Sequence, residues 1–353
     1  MIPPRISVIV PSFNQGRFLG ECLESIVGQR YPNLELIVMD GGSTDESVSI
    51  IERYAGSITY WQSEADGGQS AAINAGVARA TGQIVAWLNS DDIYCAEALW
   101  TVGRAFEQHP HCGLYIGNGF RLDEKTGAKI PFARRRVALN RRALREGVDF
   151  ILQPATFFNR AAWVDVGGLD PDLHYCMDWD ILIRIADRYP AVLINEFLAQ
   201  SREYEETKTS SGGMKRVAEI CEMAARHTGQ NMTAGAACYL LDTMMQPGMS
   251  GHLGPAFHRL MAMAQVQATS RLASISETHD GFPDNSDPQD VTFGTVPNVV
   301  APPRSRNPLR RLWGKRPRGL LYSATTALLV SLVAIGVVSE TEAMKRLHAR
   351  RGL

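Results

Sequence analysis

The chain has 353 residues, enough for one large domain or two modest ones, and its 45% apolar and 21% charged content is that of a globular protein. A formal net charge of −1 supplies no basic field, which argues against a nucleic-acid partner. Six cysteines without a CxxC pair or metal-type spacing exclude a disulfide scaffold and a zinc module, and fit small core residues of a reduced, cytosol-facing protein.

The N-terminal stretch MIPPRISVIVPSF is too short in its apolar run for a signal peptide, and Pro11 and Asn14 break it. Residues 6–10 (ISVIV) form a β-branched apolar run, predicted as a buried strand, and PSFNQG at 11–16 is turn chemistry. Phe18, Leu19, Cys22, Leu23, Ile26 and Val27 recur at helical spacing. A second strand is expected at 34–39, ending at Asp40. Gly41-Gly42 then turns the chain, with Ser43, Thr44 and Asp45 as candidate caps of a helix running to about Tyr54. ITYW at 58–61 reads as a third strand, 66–82 as a Gly-rich turn, a helix and a Gly stop, and QIVAWL at 83–88 as a fourth strand. Such alternation predicts an α/β fold with a mostly parallel sheet flanked by helices.

Beyond residue 113 the pattern weakens, and 117–150 is too irregular to assign. QPATFF at 153–158 reads as a strand. A helix starting near Asp178 carries Ile181, Leu182, Ile185 and Ala186 on one face, and 191–200 forms another strand. Residues 202–213 read as a polar loop and 214 to about 270 as helical. A Pro-, Asp-, Ser- and Asn-rich linker is expected at 276–305. The basic run at 304–318 precedes an uncharged apolar stretch at 319–339, which suits a membrane span of about 20 residues. Its flanking charges put the N-terminal part on the cytoplasmic face of the cell membrane; packing of 319–339 on the domain would instead leave the protein cytoplasmic.

Ligands of open α/β sheets collect at the carboxyl ends of the strands. Here those ends carry Pro11-Ser12-Phe13-Asn14, then Asp40, then Glu64 and Asp66, then Asn89, Asp91 and Asp92. Adjacent carboxylates repel, and a shared divalent cation relieves that repulsion; Mg²⁺ and Mn²⁺ favour such oxygen ligands together with phosphates. The simpler alternative makes Ser90 or Asp92 the cap of a helix starting near Ala96.

Five segments, SVIVPSFNQGRFLGECLESIVGQRYPNLELIVMDGGSTDESV, EADGGQSAAINAG, TGQIVAWLNSDD, QPATFF and MDWDILIRIA, together resemble the family 2 glycosyltransferases of the GT-A fold over about residues 5–210. The resemblance implies a metal-dependent, inverting transfer from a nucleotide diphosphate sugar to an acceptor hydroxyl, with Mg²⁺ or Mn²⁺. It implies a donor pocket from Pro11, Ser12, Phe13, Asn14, Asp40, Asp66, Gln69, Asn74, Asp91 and Lys208, with Phe13 stacked on the base. By the same match Asp91 and Asp92 stand at the metal and Asp178 is the catalytic base. Three departures appear: Gly41 where many relatives have a second acid, Asn89 where many have Asp, and Met177 in place of Glu before Asp178. Asp178 and Asp180 lie two apart on the helix, so only one can face the site. Arg202 and Lys208 fall in the region that in the family can close over the diphosphate. Arg134–Arg136, Arg141, Arg142 and Arg145 are candidates for meeting an acidic acceptor or a membrane surface.

The expected organisation is a GT-A domain over 1–230, a helical extension over 231–275, the linker over 276–305, and a basic stretch with the anchor over 306–353. The acceptor expected beside a membrane anchor is lipid-linked or a growing polysaccharide. Two other readings stay open: a degenerate GT-A domain that only binds, and a nucleotidyltransferase, although PSFNQGRF lacks the Gly-, Arg- and Lys-rich loop the latter needs.

Overall fold

A computed structural model describes residues 2–133, 139–148, 150–230 and 232–244. The expected linker, basic stretch and membrane span, most of the C-terminal extension, and Arg134–Arg136 lie outside these residues. Among the described residues no helix is long and apolar enough to cross a membrane.

The chain begins β1 (Ile6–Ser12), α1 (Gly16–Val27), β2 (Leu34–Asp40), α2 (Ser47–Tyr54), β3 (Tyr60–Ser63), α3 (Gln69–Arg79), β4 (Ile84–Trp87). It continues β5 (Ile93–Tyr94), α4 (Ala98–Gln108), β6 (Leu114–Asp123), β7 (Lys129–Pro131), α5 (Arg141–Arg145), β8 (Thr156–Asn159), α6 (Arg160–Asp165). Then follow α7 (Met177–Ala186), β9 (Ala191–Glu203), α8 (Lys208–Ser211), α9 (Gly213–Thr228) and α10 (Ala234–Met244).

One sheet takes the order β3-β2-β1-β4-β8-β6-β9-β5, with β7 beside β6. The first four strands are parallel, as the alternation predicts. The rest is mixed: β8 runs antiparallel to both β4 and β6, β6 and β9 are parallel, and β5 and β7 are antiparallel additions. "Mostly parallel" therefore holds for the first half of the sheet only.

The sheet separates two cores because successive side chains leave a strand on opposite faces. Val8, Val10, Leu36, Val38 and Ala86 face α1, α2 and α4. Ile9, Ile37, Met39, Val85 and Trp87 face α3, α6, α7 and α9. Gly76 of α3 sits so close to β1 that a Cβ there would fall 2.6 Å from the Ile9 side chain.

Several local expectations shift. β6 arises in the irregular middle, where Gly117 and Gly119 hid it. A Cβ on Gly117 would meet Leu198 at 2.3 Å, and one on Gly119 would meet the Ala199 carbonyl at 2.4 Å. Of the expected strand at 153–158, only β8 is extended, and Gln153–Ala155 is a short 3-10 turn. The helix placed near Ala96 starts at Ala98, behind Glu97 at φ 62°, so neither Ser90 nor Asp92 caps it. The expected loop at 202–213 is the end of β9, a turn at 204–207, then α8 and the first residue of α9.

Candidate active site

The residues expected to meet the donor gather at the C-terminal ends of β1, β2 and β4. Pro11 and Ser12 are buried in β1, in register with Met39 and Asp40. Beyond them the chain turns at Asn14, in the left-handed region at φ 52°. The Asn14 N–H donates to Ser43 Oγ (2.8 Å), and its Oδ1 accepts from the Thr44 N–H (2.9 Å), locking this turn to the one after β2. Asp40 is 1% exposed, and its carboxylate accepts from the Ser43 N–H (2.8 Å), Ser43 Oγ (2.6 Å) and Ser63 Oγ (2.7 Å). Asp40 thus shapes the loop from within. Thr44 and Ser43 serve that junction instead of capping α2; only Asp45 reaches the first turn, accepting from the Ser47 N–H at 3.0 Å.

Phe13, by contrast, is 61% exposed. Gly41 explains its setting: a Cβ there would lie 3.3 Å from the Phe13 ring and 3.2 Å from the Asp66 carboxylate. With no side chain at Gly41, Phe13 and Asp66 both approach bare backbone. Asp66 accepts from the Gly68 N–H (2.7 Å) at the entry to α3 and keeps an exposed oxygen. Phe13 and Asp66, both exposed, adjoin across Gly41.

The acidic pair follows β4 in a turn closed by the Asp92 N–H on the Asn89 carbonyl (2.9 Å). Asp92 is 3% exposed; its Oδ1 accepts from the Arg202 N–H (3.0 Å) and its Oδ2 from Asn89 Nδ2 (3.2 Å). Asp91 accepts from the Tyr204 hydroxyl (2.7 Å). Burial raises the Asp91 carboxyl above the usual carboxylate range. Asp92 is raised well above it, by burial first and then by the charge of Asp91. Two acids held this way gain from a cation that restores their ionised form. Among the described residues no cluster of three His, Cys, Asp or Glu groups could hold a metal. The set nonetheless fits a hard divalent ion that takes one or two carboxylates and fills its other positions with phosphate oxygens and water.

Asn89 stands at the centre of a side-chain relay. Besides Asp92 it donates to Gln153 Oε1 (3.3 Å), and Gln153 Nε2 is anchored on the Trp87 carbonyl (3.0 Å). Asn89 Oδ1 accepts from Gln69 Nε2 (2.7 Å), and Gln69 Oε1 accepts from Lys208 Nζ (2.6 Å). Lys208 also reaches the His174 carbonyl (3.4 Å), and its charge interacts with Asp178. Burial holds the Lys208 ammonium below its ordinary value, with Asp178 opposing that shift. The relay joins the acidic pair to the start of α7.

Asp178 lies in the first turn of α7, where its Oδ1 accepts from the Trp179 N–H (2.8 Å). Burial raises its carboxyl, and Arg216 and Lys208 only partly offset this. Asp180 turns away, as their spacing requires. Burial raises Asp180 too, but hydrogen bonds from His227 Nε2 (2.8 Å) and Arg184 Nε (2.7 Å) hold it below the carboxylate range. Met177, in place of the expected acid, is buried with the Ser70 hydroxyl against its sulfur.

Two expected site residues are used elsewhere. Asn74 spends both ends of its amide on Leu169, donating to the carbonyl (2.8 Å) and accepting from the N–H (2.9 Å). It clamps a loop in which Gly167 (φ 85°) and Gly168 (φ 74°) take left-handed conformations, gripped from the other side by Arg184 on the Val166 and Gly168 carbonyls (2.7 Å each). Arg202 is buried in β9 and bonded to Glu124, Glu21 (2.6 Å) and the Asp91 carbonyl (3.0 Å), so it braces the acidic turn and is not poised over a diphosphate. Arg141, Arg142 and Arg145 likewise have partners: the Ala186 carbonyl, Glu146 and Asp187.

Sequence reasoning missed Tyr204, Gln15 and Gln153. Gln15 Nε2 donates to the Tyr204 hydroxyl (3.3 Å), which in turn holds Asp91. Nothing in REYEETKTS marks a contact to a residue more than a hundred positions away. Gln153 does carry a signal: it is polar, precedes a proline, and follows the apolar pair Ile151-Leu152.

Comparison with known proteins identifies the family. The sequence profile described as "Glycosyl transferase family 2" matches residues 7–165. An uncharacterized glycosyltransferase of Mycobacterium tuberculosis (strain H37Rv) is 32% identical over 193 residues, which is 52% of this chain and 69% of the relative. The chain belongs to glycosyltransferase family 2. Another member, a "PGL/p-HBAD biosynthesis glycosyltransferase" of Mycobacterium bovis, is 30% identical over 210 residues, covering 56% of this chain and 79% of that protein. Among solved structures, TarS of S. aureus in complex with UDP-GlcNAc aligns with a TM-score of 0.52 at 19% identity, over 75% of this chain and 80% of TarS 1–349. A mannosyltransferase of Pyrobaculum calidifontis in complex with GDP-Man and Mn²⁺ aligns with a TM-score of 0.50 at 20% identity, over 79% and 80% of the two chains. At these identities the structural likeness shows the GT-A fold. The family membership makes this family 2 chain a nucleotide-sugar glycosyltransferase.

Proposed function

We propose that the enzyme transfers a sugar from a nucleoside diphosphate donor to an acceptor hydroxyl with inversion, using Asp178 as general base and a divalent cation at Asp91 and Asp92. The observation that carries this reading is the relay Asp92–Asn89–Gln69–Lys208, which runs from the acidic pair to the neighbourhood of Asp178. Phe13 stacks on the base beside Asp66, a contact of about 1–3 kcal/mol. Lys208 lies where it can meet a phosphate as a point charge. Asp178 takes the proton of the acceptor hydroxyl as that oxygen bonds to the anomeric carbon; the bond from this carbon to the diphosphate breaks, and its electron pair leaves on the diphosphate. A carboxyl raised by burial is a better base than an ordinary one. When bound, Mg²⁺ or Mn²⁺ supplies neutralisation of the charge that develops on the diphosphate.

The acceptor is lipid-linked or a growing polysaccharide, as expected beside a membrane anchor; the relative from Mycobacterium bovis is a "PGL/p-HBAD biosynthesis glycosyltransferase". Placement at the cytoplasmic face of a membrane rests on the apolar stretch at 319–339. A soluble acceptor modified by anchor-free protein as efficiently as by the full chain would count against that part of the reading.

The core of the reading is tested by thermal shift of the full chain with UDP, GDP, dTDP and CDP, each with Mn²⁺, Mg²⁺ or EDTA, in wild type and Asp92→Ala. Stabilisation by one nucleotide that requires both metal and Asp92 is expected. No shift with any nucleotide would leave a degenerate, non-catalytic domain as the better description.

A further inference from the structure

α9 follows the sheet in sequence, yet it grips the N-terminal part of the helix that bears Asp178 at two points. Glu219 presents its carboxylate to the turn that leads into α7. Its Oε2 accepts from the His174 N–H (2.9 Å), and its Oε1 from the Tyr175 (2.5 Å) and Cys176 (2.6 Å) N–H groups. Eight residues on, His227 bonds Asp180, one turn inside α7. Residues 219, 223 and 227 share one face of α9, and between the two polar ends Ile220 and Met223 are fully buried in the core that also holds Ile181 and Ile185. Arg226 adds an ion pair to Asp170 (2.7 Å), ahead of the same turn.

Three N–H groups converging on one carboxylate fix a backbone far more tightly than a single cap. The backbone they fix is the segment immediately before Asp178. It includes the His174 carbonyl that accepts from Lys208. Glu219 does not act on the acceptor itself, since its oxygens are taken up by these amides. Its effect on transfer is therefore geometric. A base works only within hydrogen-bond reach of the proton it takes.

We propose that Glu219 is a positioning residue for glycosyl transfer: its carboxylate, from α9, sets the 174–176 turn and thereby places Asp178 and the Lys208 contact relative to the donor. The inference rests on the reading of Asp178 as the base, and the test separates the two.

The full chain is assayed for nucleoside diphosphate release from a panel of UDP-, GDP-, dTDP- and CDP-sugars with Mn²⁺, as wild type, Glu219→Leu, Glu219→Gln and Asp178→Asn. Glu219→Leu keeps the volume and removes both oxygens that accept from the three N–H groups. Its kcat is expected to fall about 10- to 100-fold, the cost of a misplaced catalytic group, with donor KM within about twofold. Glu219→Gln can keep an oxygen for Tyr175 and Cys176 and loses the one for His174, so its kcat should fall between the two. Amide exchange at 174–176 should accelerate in the same order. If Asp178→Asn is inactive while both Glu219 variants match wild type, the positioning inference is overturned and the base assignment stands. If Asp178→Asn keeps its turnover, the base assignment is overturned and the inference falls with it. Equal losses in kcat and in donor affinity would mark Glu219 as a general structural residue, against the inference. If the Leu variant does not fold, the Gln variant decides: a lower kcat at unchanged KM supports the inference, and an unchanged kcat refutes it.

Discussion

Replacing Asp178 by Asn should have two effects of opposite sign. The Asn Oδ1 can still accept from the Trp179 N–H, now 2.8 Å away, so the first turn of α7 keeps its geometry. What is lost is proton acceptance, and kcat should drop by about 10²–10⁴-fold, the usual contribution of a positioned general base. Nucleotide binding should be unchanged, because Phe13, Asp66 and the acidic pair are untouched. Stability should rise. Burial lifts the Asp178 carboxyl in the folded protein. The folded state therefore holds this proton more tightly than the unfolded chain does, and the wild type loses stability as pH climbs from the unfolded value of about 3.9 through the raised folded one. Above that window the full penalty persists, and Asn removes it. An effect of about 1 kcal/mol would appear as a Tm gain of roughly 2–4 °C in a domain of this size. The assay is a pair of melting curves, at pH 7 and below pH 4, beside initial rates. The variant should melt higher at pH 7, and the difference should vanish at the acid end. A variant that turns over within tenfold of wild type, or that melts lower at pH 7 with its activity lost, would refute the reasoning.

Phe13→Ala should weaken binding of the matching nucleoside diphosphate by roughly 5- to 150-fold, equivalent to about 1–3 kcal/mol of stacking, and leave the melting temperature unchanged because the ring is already 61% exposed; isothermal titration reads the affinity. Lys208→Met should reduce kcat and nucleoside diphosphate affinity while sparing the corresponding nucleoside, since an ammonium at the diphosphate has nothing to gain from a ligand without phosphates. Gly119→Ala should destabilise the fold by roughly 1–3 kcal/mol in a urea titration, because its methyl would fall 2.4 Å from the Ala199 carbonyl and the paired backbones of β6 and β9 cannot separate cheaply.

The first half of the sheet was legible because each strand is a β-branched or apolar run that stops at a polar residue. ISVIV, LELIVM and QIVAWL are buried strands closed by Ser12, Asp40 and Asn89. The parity of Asp178 and Asp180 was legible too, since helical spacing alone separates them. β6 was not. Its two glycines read as irregular chain, and what demands them is the neighbour β9, which runs past at short range and shifts register between Ile116 and Gly119. The partner of Asn74 was hidden for a similar reason. A polar residue in a helix near the donor loop invites a ligand, but its true partner is the backbone of Leu169, 95 positions away. Long-range partners of single polar side chains leave no period in a sequence. Tyr204 on Asp91 and Glu219 on the 174–176 turn were invisible for that reason, although both sit at the chemistry.

The Val166–Leu169 loop is held from one side by Asn74, on α3, which packs against β1 and β2, and from the other by Arg184, on α7, which carries the proposed base. Its length therefore acts as a spacer gauge between the two halves of the enzyme. Insertions outside this loop leave that gauge unchanged. A single residue added between Gly167 and Leu169 would have the reverse effect: every group that meets the donor would survive, and the two halves would no longer come into register.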